Sequence, residues 1–323
     1  MIMPPLGRPV SRIGFGGWGI AGAFGAIDRR TAVRSVLTYL EQGGNLIDTA
    51  RVYGESEARI GQALEEWTGE PPLVATKVLA HGPREGWGRP LPVEVIFPRG
   101  SIRSSLEESL RALRLEQVDL LQLHLYWPTW GVEGDWLDEL RELQHSGKVA
   151  KIGVSLPDYR HDLALGLVAS GAIDSVQTVV NIFDPRALDC LGPSAARNGV
   201  ALFARGVLDE SGLTGSVEEA AEFAVDDFRR EFFTARNRRE YVERIDELRR
   251  FVPGTAPSLA ALAIGFVVSQ PQVTSAIVSM QTEELVRMNM ALLHQEPLAD
   301  DVLAILGTRH RWTRNFFERL YWD

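Results

Sequence analysis

Four residues raise the chemical question: Asp48, Tyr53, Lys77 and His124, a carboxylate, a phenol, an amine and an imidazole spaced 5, 24 and 47 residues apart. Gathered at one point, they suit an oxygen that gains negative charge. A phenol with an ordinary pKa of about 10 keeps its proton at neutral pH and can release it to a carbonyl oxygen. An ammonium beside it favours the phenolate, which predicts a lowered pKa for Tyr53, and a carboxylate keeps that ammonium charged and fixed. A neutral His124 donates a second hydrogen bond to the same oxygen and orients the substrate. The set then forms an oxyanion site with a proton donor, as hydride delivery to a carbonyl carbon requires. Singly, each has a plainer reading: Asp48 as a turn cap, Tyr53 as a rim aromatic, Lys77 in a structural ion pair, His124 as a satisfied rim histidine. The decision rests on whether one fold assembles all four.

The chain alternates short Val/Ile/Leu-rich runs with segments of helical periodicity. Runs of strand type fall at Arg12–Gly16, Asn45–Thr49, Leu73–Val78, Val118–His124, Lys151–Ser155, Ser175–Val180, Val200–Ala204 and Thr274–Ser279. Amphipathic helices lie between them, among them Arg30–Gln42, Ile102–Leu113, Asp135–Gln144 and Thr282–Leu292, several followed by the glycine expected at a helix end. Eight such units predict an α/β fold of the (β/α)8 TIM-barrel type, a single domain over residues 1–323. Two long loops interrupt the pattern, Ala80–Gly100 after the third strand and Val207–Pro257 after the seventh, and a C-terminal extension carries Trp312, Phe316, Phe317, Tyr321 and Trp322. In a barrel, chemistry belongs at the C-terminal ends of the strands. Asp48, Lys77 and His124 close or nearly close strands two, three and four there, Tyr53 follows strand two, Ser155 ends strand five, and Gln177 and Asn181 lie on strand six and its exit.

Composition excludes several classes. A net charge of −9 argues against nonspecific binding to nucleic acid or to an anionic membrane, both of which need clustered excess Lys and Arg. Cys190 is the only cysteine, so neither an intrachain disulfide nor a cysteine-based zinc site can form, and no metal site is expected. The first residues lack the apolar core of a signal peptide, and no run approaches a membrane span, so a cytoplasmic protein is expected. "GFGGWG", Gly14 to Gly19, matches the dinucleotide pattern G-x-G-x-x-G, but a helix must open directly on that motif and here the helical pattern starts only near Arg30. These glycines read instead as a first barrel loop that brings backbone close to ligand, with Trp18 lining the pocket.

"NLIDTARVYGES", "VATK", "VDLLQLH", "KIGVS" and "VQTVVNIFD", in that order, resemble the aldo-keto reductase superfamily. The likeness is closest to the branch of potassium-channel β-subunits and bacterial sugar-aldehyde reductases, and it runs from about Arg12 to the C-terminus. The resemblance implies a barrel that binds NADPH in extended form, with Asp48, Tyr53, Lys77 and His124 as its tetrad. It further implies that Ser155 and Gln177, with Asn181, hold the nicotinamide carboxamide, that Gly17 and Trp18 border the cofactor, and that Glu284 and Asn289 hold the adenosine. The sequence departs from the family where an aromatic that stacks on the nicotinamide reads Arg205, a Pro-Gly pair reads Val278-Ser279, a basic residue near the 2′-phosphate reads Gln281, and a lysine after "LTG" reads Ser216. A guanidinium plane also stacks on a ring. The weakened phosphate grip leaves NADH open beside NADPH, and Arg287, Arg238 or tail arginines could replace the lost charge.

Trp18, Trp87, Trp127 and Trp130 fall on loops at the expected mouth and predict a broad apolar pocket for a bulky, cyclic or sugar carbonyl; their alternative is packing between the loops. Two other functions stay open. A cofactor-binding regulatory or partner protein would keep the nucleotide and turn over weakly. A Schiff-base lyase would use Lys77 as nucleophile, yet would not need Tyr53, Ser155 and Gln177 together. The sequence does not specify the natural substrate, the direction of reaction or the oligomeric state.

Overall fold

The computed structural model describes residues 6–82, 88–223, 227 and 229–312. Eight parallel strands close into one barrel in chain order: β1 (Ile13–Gly16), β2 (Leu46–Asp48), β3 (Leu73–Val78), β4 (Val118–Leu123), β5 (Val149–Ser155), β6 (Ser175–Val179), β7 (Ala201–Arg205) and β8 (Ser275–Ser279), with β8 paired back to β1. Helices α1 (Arg29–Glu41) and α2 (Ser56–Glu66) follow β1 and β2. After β3 come α3 (Val93–Ile96) and α4 (Ser101–Leu113), after β4 α5 (Asp135–His145), and after β5 α6 (Leu165–Ser170). Beyond β6 lie α7 (Arg186–Cys190) and α8 (Gly192–Asn198), beyond β7 α9 (Arg229–Phe232), α10 (Ala235–Leu248) and α11 (Leu259–Val268), and beyond β8 α12 (Glu283–Met290) and α13 (Asp300–Arg309). The expected TIM barrel is present, and no strand boundary differs from the sequence reading by more than two residues. His124 lies just past β4 instead of ending it.

The strands are apolar on both faces because both are covered, as a parallel sheet requires. Their outward residues, such as Ile47, Val74, Leu121, Val154 and Leu202, pack in the large cluster shared with the helices. Their inward residues, Leu46, Leu73, Ala75, Leu120, Ala201, Phe203 and Ile277, form a second, smaller cluster with Leu6. The barrel's own core is that second cluster, and it lies below the polar residues that end the strands.

Local chemistry fixes the elements to this frame. Helix α1 starts where Asp28 accepts a hydrogen bond from the Thr31 N–H at 2.9 Å, an N-cap that satisfies an otherwise orphaned donor. From its buried face the Tyr39 hydroxyl donates to the Ile13 carbonyl at 2.9 Å and accepts from the Leu46 N–H at 3.2 Å, tying α1 to β1 and β2. At the same N-terminal end of the barrel the Arg12 guanidinium donates to the carbonyls of Val268, Gln270 and Val273, bracing the approach to β8.

The excursion after β7 is folded. It contains α9 and α10, and Tyr241 and Phe233 of this segment pack in an aromatic group with Phe183 and Trp312. Arg229 lies over the Phe223 and Phe24 rings at 5.2 and 5.9 Å, so the excursion reaches from β7 across to the loop after β1. Trp312 anchors the start of the tail against Phe183 and Tyr241; Phe316, Phe317, Tyr321 and Trp322 lie outside the described residues, as does Trp87. Phe203 fills the barrel axis one step below the polar layer, and Phe203→Ala should cost about 3–5 kcal/mol in urea denaturation, the range for an aromatic removed from a packed core.

Candidate active site

Side chains on a strand alternate between faces, so the residue two positions beyond each inward apolar one also points into the barrel. That step leads from Leu46 to Asp48, Ala75 to Lys77, Leu120 to Gln122, Gly153 to Ser155, Ser175 to Gln177, Phe203 to Arg205 and Ile277 to Ser279. The register sets several side by side: Lys77 pairs with Gln122, Ser155 with Gln177, and Gly16 with both Asp48 and Ser279, while the barrel's stagger places Asp48 opposite Ala75 and Gln177 opposite Phe203. A polar layer therefore caps the apolar core at the C-terminal end of the barrel.

The centre of that layer is an ion pair. Lys77, fully buried, donates from Nζ to Asp48 Oδ2 at 2.6 Å and to the Thr49 carbonyl at 2.8 Å. The Asp48 carboxylate accepts a second hydrogen bond, at Oδ1, from the Gln177 amide at 2.9 Å. Lys77 Nζ stands 5.3 Å from the centre of the Tyr53 ring, and the His124 ring meets Tyr53 edge-on with centroids 5.6 Å apart. Trp18 stacks on the other side of Tyr53, centroids 6.1 Å apart. The four residues singled out in the sequence converge on one place.

Their electrostatics differ in one respect from the sequence expectation. Burial pushes the Tyr53 phenol well above its ordinary value, the Asp48 charge pushes it the same way, and Arg205 offsets only part of this. The Tyr53 pKa is not lowered as expected from Lys77, because burial dominates and the Asp48 charge adds to it. Burial also lowers the Lys77 ammonium, with Asp48 acting against that fall. His124 is held well below its ordinary value by burial first and then by the Lys77 and Arg205 charges. A protonated phenol and a neutral imidazole result, one a proton donor and the other a hydrogen-bond donor.

Arg205 reaches this layer from β7. Its guanidinium pairs with Asp158 at 2.6 Å and donates to the Leu156 carbonyl at 2.7 Å; burial would depress its pKa, but Asp158 more than compensates. Asn181 directs its amide to the loop after β7, donating to the Gly206 carbonyl at 2.9 Å and to Asp209 at 3.2 Å. Gly17 lies against the end of β2: its N–H donates to the Asp48 carbonyl at 2.7 Å, and a side chain there would meet Ser56 Oγ at 2.6 Å. A Cβ at Gly19 would lie 3.0 Å from both Ser279 Cβ and Gln281 Oε1. Glu284 lines a surface groove between the N-terminal ends of α1 and α12, and Asn289 is buried in the last turn of α12. Trp127 and Trp130 are buried, Trp130 donating to the Leu91 carbonyl at 2.7 Å and meeting Phe97 and Tyr126 edge-on, so both pack the loop wall behind the mouth.

Sequence reasoning missed Asp158, the counter-charge of Arg205; Asp209, beneath the same loop; and Gln122, wholly buried with no protein partner at either amide atom. Strand alternation from His124 would have found Gln122. Nothing local in the sequence marks the other two.

The fold and this set of groups define a class: a closed parallel barrel with a buried ion pair, a phenol and an imidazole gathered at the C-terminal ends of its strands. Residues 12–308 match the aldo/keto reductase family, and the chain belongs to it. The aldo-keto reductase YhdN of Bacillus subtilis is 28% identical over 272 residues, covering 82% of this chain and 80% of that protein. The NADH-specific methylglyoxal reductase of Escherichia coli is 26% identical over 307 residues, 90% of this chain and 93% of the relative. Among solved structures, a glycerol dehydrogenase of Gluconobacter oxydans superposes with a TM-score of 0.77 at 28% identity, covering 96% of this chain and 95% of its own. The family's enzymes are oxidoreductases that use a nicotinamide cofactor.

Removing the charge of Asp48 leaves a buried ammonium without its counter-ion. Asp48→Asn is therefore expected to lose about 3–5 kcal/mol of stability by urea denaturation at neutral pH, as measured for broken buried pairs.

Proposed function

We propose that this protein reduces an aldehyde or ketone to the alcohol with NADPH, taking a bulky, cyclic or sugar carbonyl as substrate. The observation that carries this reading is the convergence of Tyr53, the Lys77–Asp48 pair and His124 at the mouth of the barrel. Tyr53 transfers its proton to the substrate oxygen. His124, neutral, donates a hydrogen bond to that oxygen and sets its angle. Lys77 supplies positive potential beside the phenolate left behind, and Asp48 keeps it in position.

The nicotinamide, when bound, supplies the hydride. The donor set suits it: the Ser155 hydroxyl, the Gln177 amide and Asn181 line the β5–β6 side, and the Arg205 plane, held at two points, offers a face to an aromatic ring. Arg30, Arg34 and Arg287 surround the groove at the start of α12, beside Thr282, Glu283 and Glu284, and their charge supports NADPH in place of the basic residue lost at Gln281. Glu283 already pairs with Arg34 and Arg287, so NADH is the competing cofactor. Trp18, with Phe24 edge-on at 5.4 Å, forms the apolar side of the pocket, with Trp127 and Trp130 packed in the loop wall behind it. We read the chain as one barrel domain acting in the cytoplasm on a small molecule; among the described residues no helix is long and apolar enough to cross a membrane.

Two measurements test the reading. Tyr53→Phe should bind cofactor as the parent does yet lose roughly 10²–10⁴-fold in kcat, the usual worth of a positioned acid; undiminished turnover would remove Tyr53 from the mechanism. The pH profile follows from the shifts. A phenol raised above 10.0 keeps its proton through alkaline pH, and an imidazole lowered below 6.5 stays neutral through mildly acid pH. Reduction should therefore run level from about pH 6 to 9, while the reverse oxidation, which needs the phenolate, should still be rising at about pH 10.

A further inference from the structure

The carboxylate of Asp209, in the loop after β7, is buried and accepts hydrogen bonds from three elements. The Tyr241 hydroxyl of α10 donates to Oδ2 at 2.7 Å; the Tyr159 hydroxyl, from the loop after β5, and the Asn181 amide, at the exit of β6, donate to Oδ1 at 3.2 Å each. Asp209, Glu210 and Ser211 have φ of 49°, 56° and 72°, three consecutive left-handed residues none of which is glycine. Such backbone is held only where surrounding contacts determine it. Here the contacts are those on Asp209, together with Asn181 on the Gly206 carbonyl and the hydroxyl of Tyr241 so close to Gly212 that a side chain there would lie 2.2 Å from it.

The same two loops are joined a second time. Arg205, four residues before Asp209, is held by Asp158 and the Leu156 carbonyl of the β5 loop, and Tyr159 follows Asp158 directly. The β5 loop is thus tied to the β7 side twice, by Arg205 at the end of β7 and by Asp209 in the loop beyond it. A shift at Asp209 would pull on the loop that leaves the strand at Arg205. Tyr241 adds the excursion to this joint, because its ring packs on Phe183, Phe233 and Trp312 while its hydroxyl ends on Asp209.

We propose that Asp209 is a positioning residue for the nicotinamide site, acting through the strand-7 loop and Arg205, and that Tyr241 makes cofactor affinity depend on the seating of the excursion helix. This rests on the cofactor reading under Proposed function. The test is fluorescence titration of NADPH and NADH with the parent protein, Tyr241→Phe, Asp209→Asn and the double variant, together with thermal melts and turnover of 4-nitrobenzaldehyde at saturating cofactor. Each single variant should weaken cofactor binding roughly tenfold, the scale of one buried hydrogen bond lost. The double variant should be no weaker than the weaker single, because both changes break the same contact. Turnover at saturation should stay within about twofold of the parent, since no tetrad group has moved. Parent-like affinity in Tyr241→Phe and Asp209→Asn, with or without a lowered melting temperature, would overturn the inference, for it would leave these residues a purely structural role. A parent protein that binds neither nucleotide would instead overturn the cofactor reading on which the inference stands. The titration decides the matter whatever the turnover of this aldehyde.

Discussion

An ammonium placed on the axis of a closed barrel loses its water, and everything at the catalytic end of this protein answers to that constraint. Taking such a charge out of solvent costs several kcal/mol even after relaxation, and Lys77 is fully buried. Asp48 offsets the cost directly, the Thr49 carbonyl takes a second N–H, and the Gln177 amide occupies the far oxygen of Asp48. The network spans β2, β3 and β6, so those strands must hold their register for the charges to meet. Arg205 repeats the solution on β7 with Asp158 as its partner. Two cations thus stand beside two carboxylates, and burial, the largest influence on both groups, keeps the proton on Tyr53 and the charge off His124.

The same constraint accounts for the glycines at the start of the chain. Backbone from the loop after β1 presses on the exit of β2 at Gly17, closer than a side chain would permit, and lies tightly against the exit of β8 at Gly19. That approach brings Trp18 over Tyr53. A run that resembles a phosphate-binding fingerprint is thus a packing device, and the strand–loop context separates the two.

The barrel was legible in the sequence because its signal is repeated: eight apolar runs, each short, each followed by helical periodicity. The tetrad was legible for a related reason. Asp48, Lys77 and His124 interrupt apolar strands at their ends, where a charged residue has no packing role, and Tyr53 follows one of them closely. Asp158 and Asp209 offered no such contrast, since an acid in a loop resembles any solvated acid until its partners Arg205 and Tyr241 are seen across 47 and 32 residues of chain. The Tyr53 shift was misjudged because spacing reveals that Lys77 is near but not that burial outweighs it. Trp127 and Trp130 read as pocket faces, yet their neighbours Phe97, Tyr126 and Arg160 cover them, and burial of a loop aromatic depends on neighbours that composition does not name.

Among its described residues, the excursion between β7 and β8 meets the catalytic layer at its margins, through Asp209 and through Arg229 over Phe24. The groups that move the proton sit on strand ends, where a change of register would disrupt the whole barrel, whereas the excursion hangs from them by a few side chains. Loops absorb insertion and drift more readily than strands do. Such drift in the excursion would leave the geometry of the strand-end groups passing unaltered from one descendant to the next.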